Sequence, residues 1–149
     1  MSFPSHDQRQ QIREAAAAAL VGQTNAQDNV HSSLVYPHDG DNLPLIHVRC
    51  DSEVSELAQL GGILSREMTL RIQAFVGADE RTIDNDLDDI AAQIEAQIGG
   101  NQFSSAAKQT VLAETTIERS DEGARPTAAI TLDFVVEYHT DDSNGEVAL

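Results

Sequence analysis

The side chains best suited to acid–base or metal chemistry in this chain are five histidines, one cysteine and a surplus of carboxylates. The imidazoles are His6, His31, His38, His47 and His139. No two stand at i, i+2 or i, i+4, the spacings that aim two side chains at a shared metal from one strand or helix face. His31 and His47 fall in neighbouring predicted strands, with Asp39 and Asp41 between them in sequence, so a paired site there is geometrically possible. Cys50 lies in an apolar strand, where a lone thiol behaves as a small buried hydrophobe rather than a nucleophile. Asp84, Asp86, Asp88 and Glu95 occupy the ligand positions of a calcium-binding EF-hand loop. Asp89 takes the sixth position, where that loop needs glycine for its sharp turn. Ile83, Leu87, Ile90, Ile94 and Ile98 also keep helical phase through the same stretch, which a loop would break. The acids therefore read as helix surface near a positive dipole end. Phosphate-binding glycine loops, a dinucleotide fingerprint, a zinc-protease HExxH and a GxSxG nucleophile elbow are all missing from the sequence. No catalytic, cofactor or metal residues are assigned, and no enzymatic activity is expected.

Charge narrows the function further. Nine basic residues face 25 acidic ones, a formal net charge of −16 over 149 residues. Such a surface repels nucleic-acid phosphates, which argues against a DNA reader and suits a surface that DNA slides past without sticking. Basic residues are too sparse for a nucleic-acid patch; Arg9 and Arg13 share one helix face and read as solvated or paired with acids such as Glu14. One cysteine permits no intrachain disulfide, which fits a reducing compartment. The amino-terminal stretch has no apolar signal region, and no apolar run nears the ~20 residues of a membrane span. A soluble protein made in the cytoplasm is expected, with no membrane partner.

The elements that would position these residues form one domain, residues 1–149, with an aliphatic core, since aromatics are only 4% and tryptophan is absent. Residues 1–7 read as a flexible lead. Gln8 to Val21 reads as a helix, with Ile12, Ala16, Ala19 and Leu20 on one face and Gly22 as its stop. Val30 to Tyr36 and Leu45 to Cys50 read as an antiparallel pair of strands, joined across a turn at His38 to Asn42. Asp51 to Gly62 reads as a long irregular loop, a length that is often functional. Ile63 to Val76 is the clearest strand. Leu64, Met68, Leu70, Ile72, Ala74 and Val76 alternate with Ser65, Glu67, Thr69, Arg71 and Gln73; Arg66 and Phe75 stand on the wrong sides. Thr82 to Ile98 reads as a helix capped by Thr82 and stopped by Gly99 and Gly100. Thr110 to Arg119 and Thr127 to Tyr138 read as a closing hairpin, and residues 140–149 as a mobile tail. The fold class is therefore α+β: a mainly antiparallel sheet of about five strands with two helices on one face, in the order α-β-β-β-α-β-β.

Four segments of the chain resemble, in order, those of the tail terminator proteins of long-tailed bacteriophages. Arg9 to Leu20 is similar to the family's first helix. Val35-Tyr36-Pro37 and Asp41 to Val48 resemble its "VYP … LPALLVY" stretch, Asp84 to Ile98 its "DDLDDLLDALAAEVEAAL" helix, and Ile117 to Tyr138 its closing hairpin. The likeness spans nearly the whole chain, and its specificity lies in the ordered set. It implies a non-catalytic ring, usually of six subunits, at the head-proximal end of the tail. Such a ring stops tube polymerisation and joins the tail to the head-completion or neck protein. The implied partners are other copies of this chain, the tail tube protein and the neck protein. DNA would pass through the lumen without specific binding, and no cofactor is involved. The contact surfaces expected are the turn with Asp39, Gly40 and Asp41, the stretch with Glu53, Glu56 and Gly61, and the C-terminal tail. The rival expectations are another head–tail connector or tail-completion protein of the same fold, a small metal-dependent enzyme around His31 and His47, and an acidic inhibitor that mimics DNA.

Overall fold

The computed structural model describes residues 6–32, 43–59, 63–77, 81–104, 106–120 and 127–141. Seven elements follow one another: α1 (His6–Leu20), β1 (Val30–His31), β2 (Leu45–Gln59), β3 (Ile63–Gly77), α2 (Ile83–Ile98), β4 (Gln109–Ser120) and β5 (Thr127–Asp141). The strands form a single sheet in the order β1-β2-β3-β5-β4, antiparallel except that β1 runs parallel to β2. The expected α+β order is present.

Alternation sorts the sheet into two faces. Ile46 and Val48 of β2, Met68 to Val76 at every second residue of β3, and Ala128 to Val136 at the even positions of β5 are buried on one face. Both helices lie there. The stripe Ile83, Leu87, Ile90, Ile94 and Ile98 of α2 is buried in the same core as Ile12, Ala16 and Leu20 of α1. Small alanines on α1 let its backbone approach closely, and burial of these aliphatic side chains supplies the main driving force, on the order of 1.5–3 kcal/mol for each large one. Gly22 and Gly100 each take φ +74°, a left-handed backbone that glycine adopts without strain, just past the two helices.

Several sequence expectations are corrected. Asp51 to Gln59 is not loop but the outer half of β2, paired with Ile63 to Thr69 of β3. The strand is missed because β2 carries an extra residue, Asp51, between the pairs Cys50↔Leu70 and Ser52↔Thr69. That bulge shifts the alternation by one and hides the period. β1 pairs with β2 in parallel rather than antiparallel, among the described residues at Val30↔Ile46 and His31↔His47; positions 33–36 of the expected strand lie outside the described residues. His6 and Asp7 are helical, not part of a lead. Thr140 and Asp141 belong to β5, and Thr140 is fully buried, so the chain does not loosen at residue 140. Thr82 precedes α2, but its hydroxyl donates to Asp86 Oδ2 (3.1 Å) instead of capping the backbone. The expected turn at His38 to Asn42, the turn after Ser120 and the tail beyond Asp141 lie outside the described residues.

Candidate functional site

Among the described residues, no helix covers the second sheet face. Strand pairing arranges its side chains in cross-strand rows. At one end lies the row Leu45–Phe75–Ala129–Glu118, apolar up to its β4 member; this is where Phe75, on the wrong side of its strand by pattern, finds company. Next comes His31–His47–Gln73–Thr131–Thr116, with Gln73 Nε2 donating to Thr131 Oγ1 (3.2 Å). The middle row is Arg49–Arg71–Asp133–Glu114. Beyond it stand Ser52–Thr69–Val135–Val111 and then Val54–Glu67–Glu137–Gln109.

The middle row is a charge ladder. Two arginines directly opposite each other repel. The bulge residue Asp51 answers this by placing one carboxylate oxygen 2.6 Å from Arg71 Nη1 and the other 2.9 Å from Arg49 Nε, the latter a charge contact without hydrogen-bond alignment. Arg71 also donates twice to Asp133, from Nε to Oδ1 (2.8 Å) and from Nη2 to Oδ2 (3.0 Å), a bidentate fork. That hydrogen-bonded carboxylate holds the Arg71 guanidinium above its ordinary range. Asp133 is 8% exposed although it faces the uncovered side.

A second charge group closes the helix-covered face at the end where β2 and β3 run past the core. Beyond the bulge Glu53, paired with Met68, turns inward. Its carboxylate accepts from Arg9 of α1 (2.8 Å), Arg66 of β3 (3.1 Å) and the phenol of Tyr138 in β5. Arg66 Nε in turn donates to Thr140 Oγ1 (2.8 Å). Arg66, an exception by pattern, thus occupies an inward position because Glu53 meets it there. Burial, then the bond to Glu53, pushes the Tyr138 phenol above the ordinary tyrosine range. Cys50 is half-buried nearby; burial raises its thiol, the opposite of what a nucleophile requires.

The residues expected to make contacts scatter accordingly. Glu53 is held within the molecule, with its side chain 12% exposed. Glu56 is exposed on the open face of β2, opposite Ser65. Asp39, Gly40, Asp41 and Gly61 lie outside the described residues. His31 and His47 are register partners; His31 Nε2 lies 2.8 Å from Asn29 Oδ1, and no group of three or more potential metal ligands occurs among the described residues. The acids of the EF-hand-like stretch sit on the uninterrupted helix α2, and Asp84 pairs with Arg119. A cleft of about 310 Å³ is lined by Leu43, Pro44, Val76 and Ile90, with Asn25 and Asp86 as its polar side chains. Both are engaged, Asn25 with Gln93 and Asp86 with Thr82. No helix of the described residues is long and apolar enough to cross a membrane.

Sequence patterning misses two features that stand out in three dimensions. One is the charge ladder; only the alternation of Arg71 and Asp133 with apolar neighbours hints at it. The other is a set of exposed valine and isoleucine side chains: Val54 at 67%, with Val111 and Ile117 of β4 at 47% each. β4 is a terminal strand of the sheet, 12 residues long, and among the described residues its outer edge has no strand partner. Unpaired backbone groups of that kind are a template for another chain.

No protein-family model matches the chain, and no curated protein matches it. Among solved structures, a chain from the "Virion of native gene transfer agent (GTA) particle" is similar, at 16% sequence identity and a TM-score of 0.48. The alignment covers 87% of this chain and 91% of that chain.

Proposed function

We propose that this protein is a virion structural component, a tail terminator that self-associates into a ring and caps the head-proximal end of a phage-like tail tube. The observation that carries the proposal is the one-sided sheet. One face is sealed by two helices, while the opposite face and the long β4 edge are left with polar, charged and valine side chains for another chain to cover. The ordered resemblance to tail terminators supplies the specific role; the element order expected from the residue pattern is the order found.

In this role the chain works by shape. Copies join head to tail through unlike surfaces, and closure of the rotation into a ring prevents unlimited growth. One end of the ring covers the last tube layer and stops polymerisation; the other offers a seat to the neck protein. A ring of six would carry a formal charge of about −96, six times −16. Carboxylates lining the lumen would keep DNA from adhering as it passes. A neutral or basic lumen in the assembled ring would contradict that part.

The test is genetic and structural. Particles made without this protein should carry tubes of uncontrolled length that do not join heads, and the protein should be located at the head-proximal end of the complete tail. Tubes of normal length, or the protein at another position in the particle, would replace this role with that of a different head–tail component.

A further inference from the structure

We propose that the outer half of the β2–β3 hairpin is a latched arm, fastened to the core through Glu53 and able to loosen while the core stays folded. The inner half of the hairpin is held by apolar burial: Ile46, Val48, Leu70, Ile72 and Ala74 are fully enclosed. Past the bulge at Asp51 that cement stops. Asp51, Ser52, Val54, Ser55 and Glu56 are exposed, and Ile63 to Arg66 on the facing strand are only half-buried.

Within Asp51 to Glu56 the one side chain drawn inward is a carboxylate. Glu53 gathers three partners from three different elements: Arg9, which is 44 positions away, Arg66, which is 13 away, and Tyr138, which is 85 away. Charge-assisted bonds of this kind are roughly twice as strong as neutral ones. Their loss strands two guanidinium groups at a partly enclosed site, where an unpaired charge is costly. The cost falls on the arm, because the rows beneath it are sealed by aliphatic contacts that do not involve Glu53. Local opening of one segment against an intact core is the expected consequence. The latch also accounts for the bulge. If Asp51 were paired regularly instead of bulging, Val54 would turn inward and Glu53 outward, and the arm would have no fastening.

The latch is a property of the single chain and does not rest on the ring proposed above. An arm fixed in advance would, however, reduce the ordering cost of any contact it makes.

Hydrogen exchange read by mass spectrometry on the full chain tests the proposal. Glu53→Gln should speed exchange across residues 51–59 and 63–67 by about tenfold or more, with residues 70–76 and 128–136 unchanged. Adding Arg66→Gln to that variant should change the rate by less than about twofold, because its partner charge is already gone. Tyr138→Phe keeps both ion pairs and should give a smaller acceleration confined to the same two segments; it decides the matter if Glu53→Gln does not fold. Acceleration spread evenly over the sheet, no acceleration in the arm, or independent additive effects of Glu53 and Arg66 would each overturn the latch.

Discussion

Of the three bulges in this sheet, two act in opposite directions. In β4 the extra residue is Ala113, between Leu112↔Phe134 and Glu114↔Asp133. It shifts the alternation so that Glu114, Thr116 and Glu118 stay on the uncovered face, while Ile117 lies opposite Ile130 on the helix side. Ile117 nevertheless stays 47% exposed. In β2 the extra residue is Asp51, and the shift does the reverse: a glutamate turns inward and Val54 turns out to 67% exposure. The first bulge keeps carboxylates off the helix side. The second works against simple hydrophobic sorting, and it is retained together with two charge groups that depend on it, the Arg49–Asp51–Arg71–Asp133 ladder and the Glu53 hub. Departures from local patterning of this kind mark places where a sequence serves something besides its own fold.

In the ladder, Arg71→Met removes the shared cation and leaves Asp51 and Asp133 without it. The expected cost is about 1–2 kcal/mol, reduced because Arg71 is partly open to solvent. The gap to the parent protein should narrow at high salt, as screening weakens what the parent gains from the pair. A gap that does not respond to salt would assign the effect to lost packing by the arginine stem.

Tyr138 carries a pH signature. Its phenol is held above the ordinary value of 10.0, so the folded state keeps the proton more firmly than the unfolded chain. Its contribution is then fully present below pH 10 and is lost as pH rises from there toward the folded value. Tyr138→Phe should cost about 1 kcal/mol at neutral pH and flatten the loss of stability above pH 10. An alkaline limb identical in both proteins would remove Tyr138 from the hub.

The smallest folding effect is expected at Val54. Val54→Ser should change monomer stability by no more than about 0.5 kcal/mol, because the side chain is already in water. The same substitution should weaken assembly, measured as the fraction of ring at fixed concentration. A ring unaffected by it would exclude the arm from the contact.

Much of the covered face was legible in the sequence. Alternation from Leu64 to Val76 and the isoleucine stripe of α2 follow periods that one-sided burial enforces, and both elements appear where those periods put them. The outer half of β2 was not legible, because its period restarts at Asp51 and its inward residue is a glutamate. Nothing near Glu53 in sequence signals a bond to Arg9 or Tyr138; only folding brings them together. The direction of β1 is not legible, because its two paired residues carry no information on orientation. The candidate contact residues fared similarly. Exposed acids such as Glu56 can be guessed from polarity, whereas an exposed Val54 reads as core until the bulge is known.

The most direct test is the mass of the assembled species, read by native mass spectrometry across a concentration series. The account predicts a discrete closed oligomer near 97 kDa, six times 16.1 kDa, with no larger ladder of species. A particle of 16.1 kDa at every concentration, alone and in the presence of tail tubes, would contradict it.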